Sequence, residues 1–426
     1  MGSTSEHLTI DALYNRVALD HPGFAGVYQD GGVTTVLVSA PRLSALSLPS
    51  AVRGLTASLV RLHGPDAVGG ALSLRLLPAT FSFDELYRLK LALLDRVMPD
   101  GVTSLRIADR DNVVAVYALD PGASDVAQWA EAALAAEGLP PGALEVRQGE
   151  PAILTTSLQD RHESRYLSGG ARIGFFNSDG VSSTCTLGFN ALLHQPGGQS
   201  GIDGFVTNAH CTGAGGLVED KTFYQPTTED RAIGTEILDP PFLDSSEFAA
   251  QGAGGNECPR GSSCRYSDSA FIRYDVDPGP NGRGASIFKT TGANNRSLEI
   301  QRVGNPDGST SRYSYFIVAD ESPSYHLMTG QTVNKIGQTT GWTRGEVTTR
   351  VALGGGAVEE NCEQIRYNRQ TDRYLVCQAV LDLQNGDPNS PSAGEGDSGA
   401  AVFTINSDGT SVRIRGLLWG GATSSS

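Results

Sequence analysis

All six cysteines of this 426-residue chain, Cys185, Cys211, Cys258, Cys264, Cys362 and Cys377, fall after residue 184. An even number confined to one stretch reads as three disulfides made in an oxidising compartment. A zinc site would need tight clusters of Cys and His, and no second pair at ligand spacing accompanies His210 and Cys211. The expectation is therefore an exported protein with no metal and no cofactor. The cysteines also divide the chain, and its length predicts two or three domains with enough material for real cores.

Composition narrows the function classes. The chain has 52 glycines and 21 prolines but only 19% charged residues, a loop-rich composition short of the disordered range. Its net charge of −15 is spread evenly, with no basic tract, which argues against phosphate-driven nucleic-acid binding. No apolar run of about 18 residues occurs, so no membrane span is expected. Residues 1–7 lack a basic region and an apolar region, so no signal peptide is visible in this chain.

The cysteine-free portion alternates α and β patterns. Residues 8–20 read as a helix, and Phe24–Gln29 with Val33–Ser39 as a hairpin around Asp30-Gly31-Gly32. Ala71–Leu77 reads as a strand. Ser82 and Glu85 form a capping box opening a helix with Phe83, Leu86, Leu94 and Val97 on one face. Val102–Ile107 and Val113–Leu119 read as strands, Ser124 as the cap of a helix ending at Gly138, and Leu144–Gln148 as a last strand. The order β-α-β-β-α-β over 71–148 predicts a ferredoxin-like sandwich.

A polar stretch, Ser157–Gly170, reads as an exposed linker of the kind proteases nick. Beyond it, short β-like runs (Arg172–Phe176, Cys185–Leu193, Gly204–Thr207, Ala270–Tyr274, Tyr313–Val318, Thr332–Gly337, Ala401–Ile405, Arg413–Trp419) alternate with glycine-rich connections. No long amphipathic helix is predicted there, which is an all-β sandwich or barrel pattern.

Three segments carry chemistry together. Gly204–Cys211 delivers His210 from an apolar strand into a turn, Asp268 stands at the mouth of the apolar strand Ala270–Ile272, and Gly394–Gly399 contains Gly-Asp-Ser-Gly around Ser398. A serine nucleophile needs a base within hydrogen-bond reach and a buried acid that orients the base. The order His210, Asp268, Ser398 is that of chymotrypsin barrels, whereas subtilisin-like folds run Asp-His-Ser and α/β-hydrolases Ser-Asp-His. The hydrolase elbow Gly-x-Ser-x-Gly is absent, because Ala400 occupies its last position.

On these segments, and on Gly337-Gln338-Thr339-Thr340-Gly341-Trp342, residues from about 166 to 421 resemble the chymotrypsin-like (trypsin-type) serine proteases. The resemblance is greatest to the bacterial branch of α-lytic protease and streptogrisins. It implies an all-β double-barrel protease domain over 171–426, preceded by an α/β pro-region over 1–156 and a processing site within 157–170. It implies a serine-type endopeptidase, made as a secreted zymogen, that acts on protein or peptide substrates and docks its own pro-region. His210 would be the general base, Asp268 its orienting acid and Ser398 the nucleophile, with the backbone N–H groups of Gly396 and Ser398 as oxyanion hole. Asp397 would form a buried ion pair with a freed N-terminus or another partner. The resemblance further implies a Cys185–Cys211 disulfide, and adjacency pairs Cys258 with Cys264 and Cys362 with Cys377.

Several positions depart from the family pattern. The pocket floor falls on uncharged Ser392, which argues against a preference for Arg or Lys, and the usual pocket Cys is Gly394. Gly416–Gly421 resembles the strand lining the pocket. An ungapped match puts Trp419 beside Gly420 where relatives have Ser, and a shift of one leaves Leu418 there. Only Ala422–Ser426 follow, where relatives continue through a last strand and a helix, so the protease domain reads as truncated. Two other readings use the same barrel: a catalytically inactive binding module, and an esterase.

Overall fold

The computed structural model describes residues 9–30, 33–43, 49–64, 68, 74–149, 153–154, 167–194, 201–213, 215–250, 257–277, 285–291, 298–303, 312–319, 327–347, 363–367, 372–379, 381–382, 393–394 and 396–421. Among them the chain is mostly β-sheet with few helices, which is consistent with a chymotrypsin-like β-barrel fold. No helix among these residues is long and apolar enough to cross a membrane.

Local signals place the first elements. Thr9 caps the helix Ile10–Asp20 by accepting from the Ala12 N–H. Ser82 and Glu85 make both bonds of a capping box on the helix Phe83–Leu94. Gly138, at φ 64°, closes the helix Ser124–Glu137 in the left-handed conformation that glycine adopts without strain. The cap of that helix is Ala123 rather than Ser124, with no side-chain bond. The helix Pro49–His63 had no sequence signal. Its Val52, Gly54 and Val60 dilute helix propensity, and the burial of Leu55 and Leu59 holds it.

Strands β1 (Phe24–Asp30) and β2 (Val33–Ser39) pair antiparallel, and β3 (Arg75–Ala79) runs parallel to β2. β4 (Val102–Ala108) and β5 (Val113–Ala118) form a hairpin, with β6 (Leu144–Gln148) parallel to β5. The first strand of the expected ferredoxin-like order thus joins a different sheet from the other three. Spacing orders strands along the chain, but pairing follows the open edge that the β1–β2 hairpin offers. β7 (Ile153–Leu154) follows.

From residue 167 the chain is hydrogen-bonded into the second part. Leu167 is buried, and Gly169 N–H donates to Ser286 O, so residues 167–170 are not part of an exposed linker; the rest of that expected stretch, 157–166, lies outside the described residues. β8 (Arg172–Phe176), β9 (Ser182–Thr186), β10 (Phe189–Leu193), β11 (Ile202–Thr207), β12 (Thr222–Gln225) and β13 (Arg231–Leu238) enter one seven-stranded antiparallel sheet. The single strand expected over Cys185–Leu193 is two, split at Gly188. Short β14 (Leu243–Asp244) and β15 (Ser263–Arg265) leave this sheet before β16 (Ala270–Tyr274) completes it. Phe175, Phe205, Phe223 and Ile272 fill its core.

A second seven-stranded sheet takes β17 (Ser286–Phe288), β20 (Tyr315–Val318), β21 (Thr332–Gly337), β22 (Gly341–Val347), β25 (Leu381–Asp382), β26 (Ala401–Ile405) and β27 (Ser411–Leu417) around Phe316, Trp342 and Phe403. β18 (Arg302–Val303) and β19 (Arg312–Tyr313) form a small ribbon, and β28 (Gly420–Gly421) pairs with β7.

The remaining strands, β23 (Glu363–Arg366) and β24 (Arg373–Gln378), bind the two halves of the chain. One seven-stranded sheet runs β14-β15-β24-β23-β4-β5-β6, with four strands from the C-terminal portion and three from the N-terminal one. Phe248, Cys258, Cys264, Tyr374 and Val376 share one core with Tyr14, Phe24, Phe83 and Leu93. Inside it Lys90 Nζ bonds Asp11 (2.5 Å) and Glu257 (3.1 Å), and Gln364 Nε2 donates to Glu257 (2.8 Å). Burial works against the ammonium, but both carboxylates outweigh it and hold the Lys90 pKa above its ordinary value. Lys90→Met is expected to lower stability by about 3–5 kcal/mol, because it leaves uncompensated buried carboxylates. Equilibrium denaturation measures this, and an unchanged midpoint would contradict it.

Candidate active site

The register of β11 against β16 brings His210 to Asp268. Thr207 pairs with Ala270, so the two chains diverge beyond those residues with His210 on one and Asp268 on the other. His210 lies in the single 3-10 turn Ala209–Cys211. Asn208 Nδ2 and the Ala209 N–H donate to the Asp268 carbonyl at 2.7 and 3.3 Å, which locks the turn to the strand mouth. The Cys185–Cys211 disulfide ties the same turn to β9.

Asp268 is buried and fully engaged. Its Oδ2 lies 2.5 Å from His210 Nδ1, and its Oδ1 accepts from the His210 N–H (3.2 Å), Arg265 Nη2 (2.6 Å) and Tyr367 Oη (3.2 Å). Burial pushes this carboxyl up, but His210, Arg265 and Tyr367 outweigh burial and hold it below the ordinary carboxylate range. An ionised carboxylate only accepts, so Nδ1 carries the proton and Nε2 of a neutral ring is left as an acceptor. Nε2 is buried and has no hydrogen-bond partner among the described residues.

The turn around Ser398 is built from the second sheet. Asp397 is fully buried. It accepts from the N–H groups of Thr339 (2.8 Å), Thr340 (3.1 Å) and Gly394 (3.0 Å), and pairs with Lys335 Nζ (2.9 Å). Gly396 has φ 90°, and a Cβ there would strike Gln338 Nε2, so the turn requires glycine. Thr186 then docks this turn on the first sheet: its Oγ1 donates to Gly396 O (2.7 Å) and its N–H to Ser398 O (2.8 Å). Both carbonyls flanking Asp397 therefore face β9. A Cβ on Gly399 would strike Thr207 Oγ1, which places the turn against the end of β11, three residues before His210.

The tentative pocket residues divide. Leu418 packs in a core with Val333 and Val402, and its N–H and C=O bond Ala400 O and Gly399 N–H, each at 2.9 Å. The Trp419 and Tyr367 ring centres lie 6.3 Å apart, and Gly420 opens β28. Ser392 and Cys362 lie outside the described residues. Cys258–Cys264 is a disulfide, and Cys377 is also disulfide-bonded. The ligand atoms of Cys185, His210 and Cys211 cluster within 4.8 Å, but both sulfurs are spent in the disulfide and offer no thiolate to a metal.

Four site residues had no functional reading in the sequence. Lys335 lies in an apolar strand, Thr186 and Tyr367 are single polar residues in β-rich stretches, and Arg265 merely follows a cysteine. The three-residue spacing of Arg265 from Asp268 is no signal either, because outside a helix that spacing carries no geometric meaning.

No family model and no curated protein matches the chain. Among solved structures it is similar to a Nocardiopsis protease, at 18% identity over 60% of this chain and 85% of that one, with a TM-score of 0.30. A glutamic acid-specific serine protease aligns at 16% identity over 57% of this chain and 81% of the other, with a TM-score of 0.29. Thermobifida fusca protease A aligns at 17% identity over 61% and 85%, also with a TM-score of 0.29.

Thr186→Val should lower stability by about 1–3 kcal/mol, since the buried Gly396 carbonyl and the Gln338 N–H each lose a partner. Thermal unfolding of the two proteins measures it; equal midpoints would count against the docking role.

Proposed function

We propose that the chain is a serine endopeptidase that cleaves peptide bonds through His210, Asp268 and Ser398. The observation that supports this reading is the buried His210–Asp268 pair, which leaves Nε2 as an acceptor, together with a Gly-Asp-Ser-Gly turn docked on β9 and against the end of β11, the strand that leads to His210.

The chemistry follows from the groups. Nε2 takes the proton of Ser398 Oγ as the oxygen attacks the scissile carbonyl, forming the tetrahedral intermediate. The imidazolium is stabilised by Asp268 and returns its proton to the leaving amine, and water then repeats the sequence on the acyl-enzyme. In this reading the backbone N–H groups of Gly396 and Ser398 would be the donors for the oxyanion. Removing one such donor typically costs about 3–4 kcal/mol of barrier. Trp419 and Gly420 would border the P1 pocket over Ser392.

Residues 1–156 would act as a pro-region and 171–426 as the protease domain, with processing before Leu167 and export as the destination. The pairing of Ile153–Leu154 with Gly420–Gly421 supports the zymogen reading. An extended segment just upstream of the candidate processing stretch already occupies, as an antiparallel strand, the edge a substrate would add to.

Ser398→Ala should abolish labelling by a fluorophosphonate probe and leave the chain at full length, and His210→Ala should slow labelling by about 10³-fold or more. Labelling is read by mass spectrometry of the modified peptide. A folded, disulfide-intact wild-type chain that takes no label at Ser398 would refute the proposal.

A further inference from the structure

We propose that Arg265 is a positioning residue for the triad, whose guanidinium takes a share of the Asp268 charge and so sets how far into acid His210 remains a free base. The inference rests on the protease reading above and names a control on that same site.

The geometry is unusually explicit. Asp268 divides its two oxygens: Oδ2 faces His210 Nδ1, and Oδ1 receives Arg265 Nη2 at 2.6 Å. The guanidinium is 3% exposed, so water screens its charge little. The charged and titratable groups facing the His210–Asp268 pair are Arg265 on β15, Asp239 just after β13 and Tyr367 just after β23. Asp239 Oδ1 accepts from Arg265 Nη1 at 3.0 Å and is the only other carboxylate on the guanidinium among the described residues. Asp239 Oδ2 also accepts from the Gly216 N–H, and burial pushes this carboxyl above its ordinary range, against that N–H and Arg265. Burial likewise pushes the Tyr367 hydroxyl far up, so it stays a neutral donor to Asp268.

Protonating His210 therefore creates an imidazolium on a carboxylate that a fixed cation already holds. Like charges on one carboxylate disfavour the second charge, so the free base persists to lower pH than it would with Asp268 alone. In the catalytic step the same repulsion speeds return of the proton from the imidazolium to the leaving amine.

Arg265 is also placed rigidly enough to do this. Its backbone pairs in parallel with Leu375 of β24, Cys264 beside it is stapled to Cys258, and its guanidinium lies 4.3 Å from the Phe242 ring centre and 5.2 Å from that of Tyr367. β24 pairs with β23, which pairs with β4 of the N-terminal portion. Arg265 thus reaches the triad from the sheet that both halves of the chain complete.

The test is the pH dependence of fluorophosphonate labelling at Ser398 in the full-length chain, for wild type, Arg265→Lys, Arg265→Met and the double variant Asp239→Asn/Arg265→Met. The double variant removes one charge of each sign and carries the test if Arg265→Met alone does not fold. The acid limb of the labelling rate is expected to move up by about one pH unit in Arg265→Met, which is about tenfold slower labelling below the limb, and by a smaller amount in the same direction in the double variant, with Arg265→Lys near wild type. A uniform loss at every pH, or an unmoved limb, would overturn the inference while leaving the protease reading intact. A wild-type chain that labels at no pH overturns the protease reading and this inference with it.

Discussion

The carboxylate of Asp268 is the point on which the site depends. A charge removed from water must be matched by donors, and Asp268 is matched by four, two from the His210 turn and one each from β15 and the segment after β23. Those donors come from three separate pieces of backbone, so the carboxylate stays ionised in the buried site only when all three are assembled. The same charge fixes which ring nitrogen of His210 carries the proton, and that leaves Nε2 as the acceptor. Folding and chemistry are therefore coupled at one side chain.

A second buried carboxylate does the corresponding work for Ser398. Asp397 gathers three N–H groups from the β21–β22 turn and from Gly394, and its charge is matched by Lys335. This turn needs no freed chain terminus to complete its ion pair, since Lys335 already stands in the strand beneath it. The third buried charge cluster, Lys90 with Asp11 and Glu257, lies where the two portions of the chain share a core. Three ion pairs with little access to water thus pin the two halves of the site and the seam between the portions. Each penalises arrangements that would leave a charge alone.

Local structure was legible where the signal was local. The Ser82–Glu85 capping box, Gly138 as a helix stop, and strands such as Arg172–Phe176, Ala270–Tyr274, Thr332–Gly337 and Ala401–Ile405 follow from short-range rules and lie where those rules put them. Partnerships across the chain were not legible. The spacing of residues 71–148 ordered its elements correctly, yet β3 left for the β1–β2 hairpin, and β4 found its second neighbour in β23 some 250 residues later. His210, Asp268 and Ser398 stood out because a motif surrounds each. Arg265, Tyr367 and Lys335 have no motif, and their meaning comes only from the carboxylates they meet after folding.

The central claim is that His210, Asp268 and Ser398 form one unit, and proton NMR of the intact chain tests it most directly. The proton between His210 Nδ1 and Asp268 should give a far-downfield resonance that is absent from His210→Ala. That resonance should shift when a fluorophosphonate modifies Ser398, because the adduct changes the charge at Nε2 on the other side of the ring. A resonance that does not move on modification of Ser398, or none at all in the folded protein, would contradict the account.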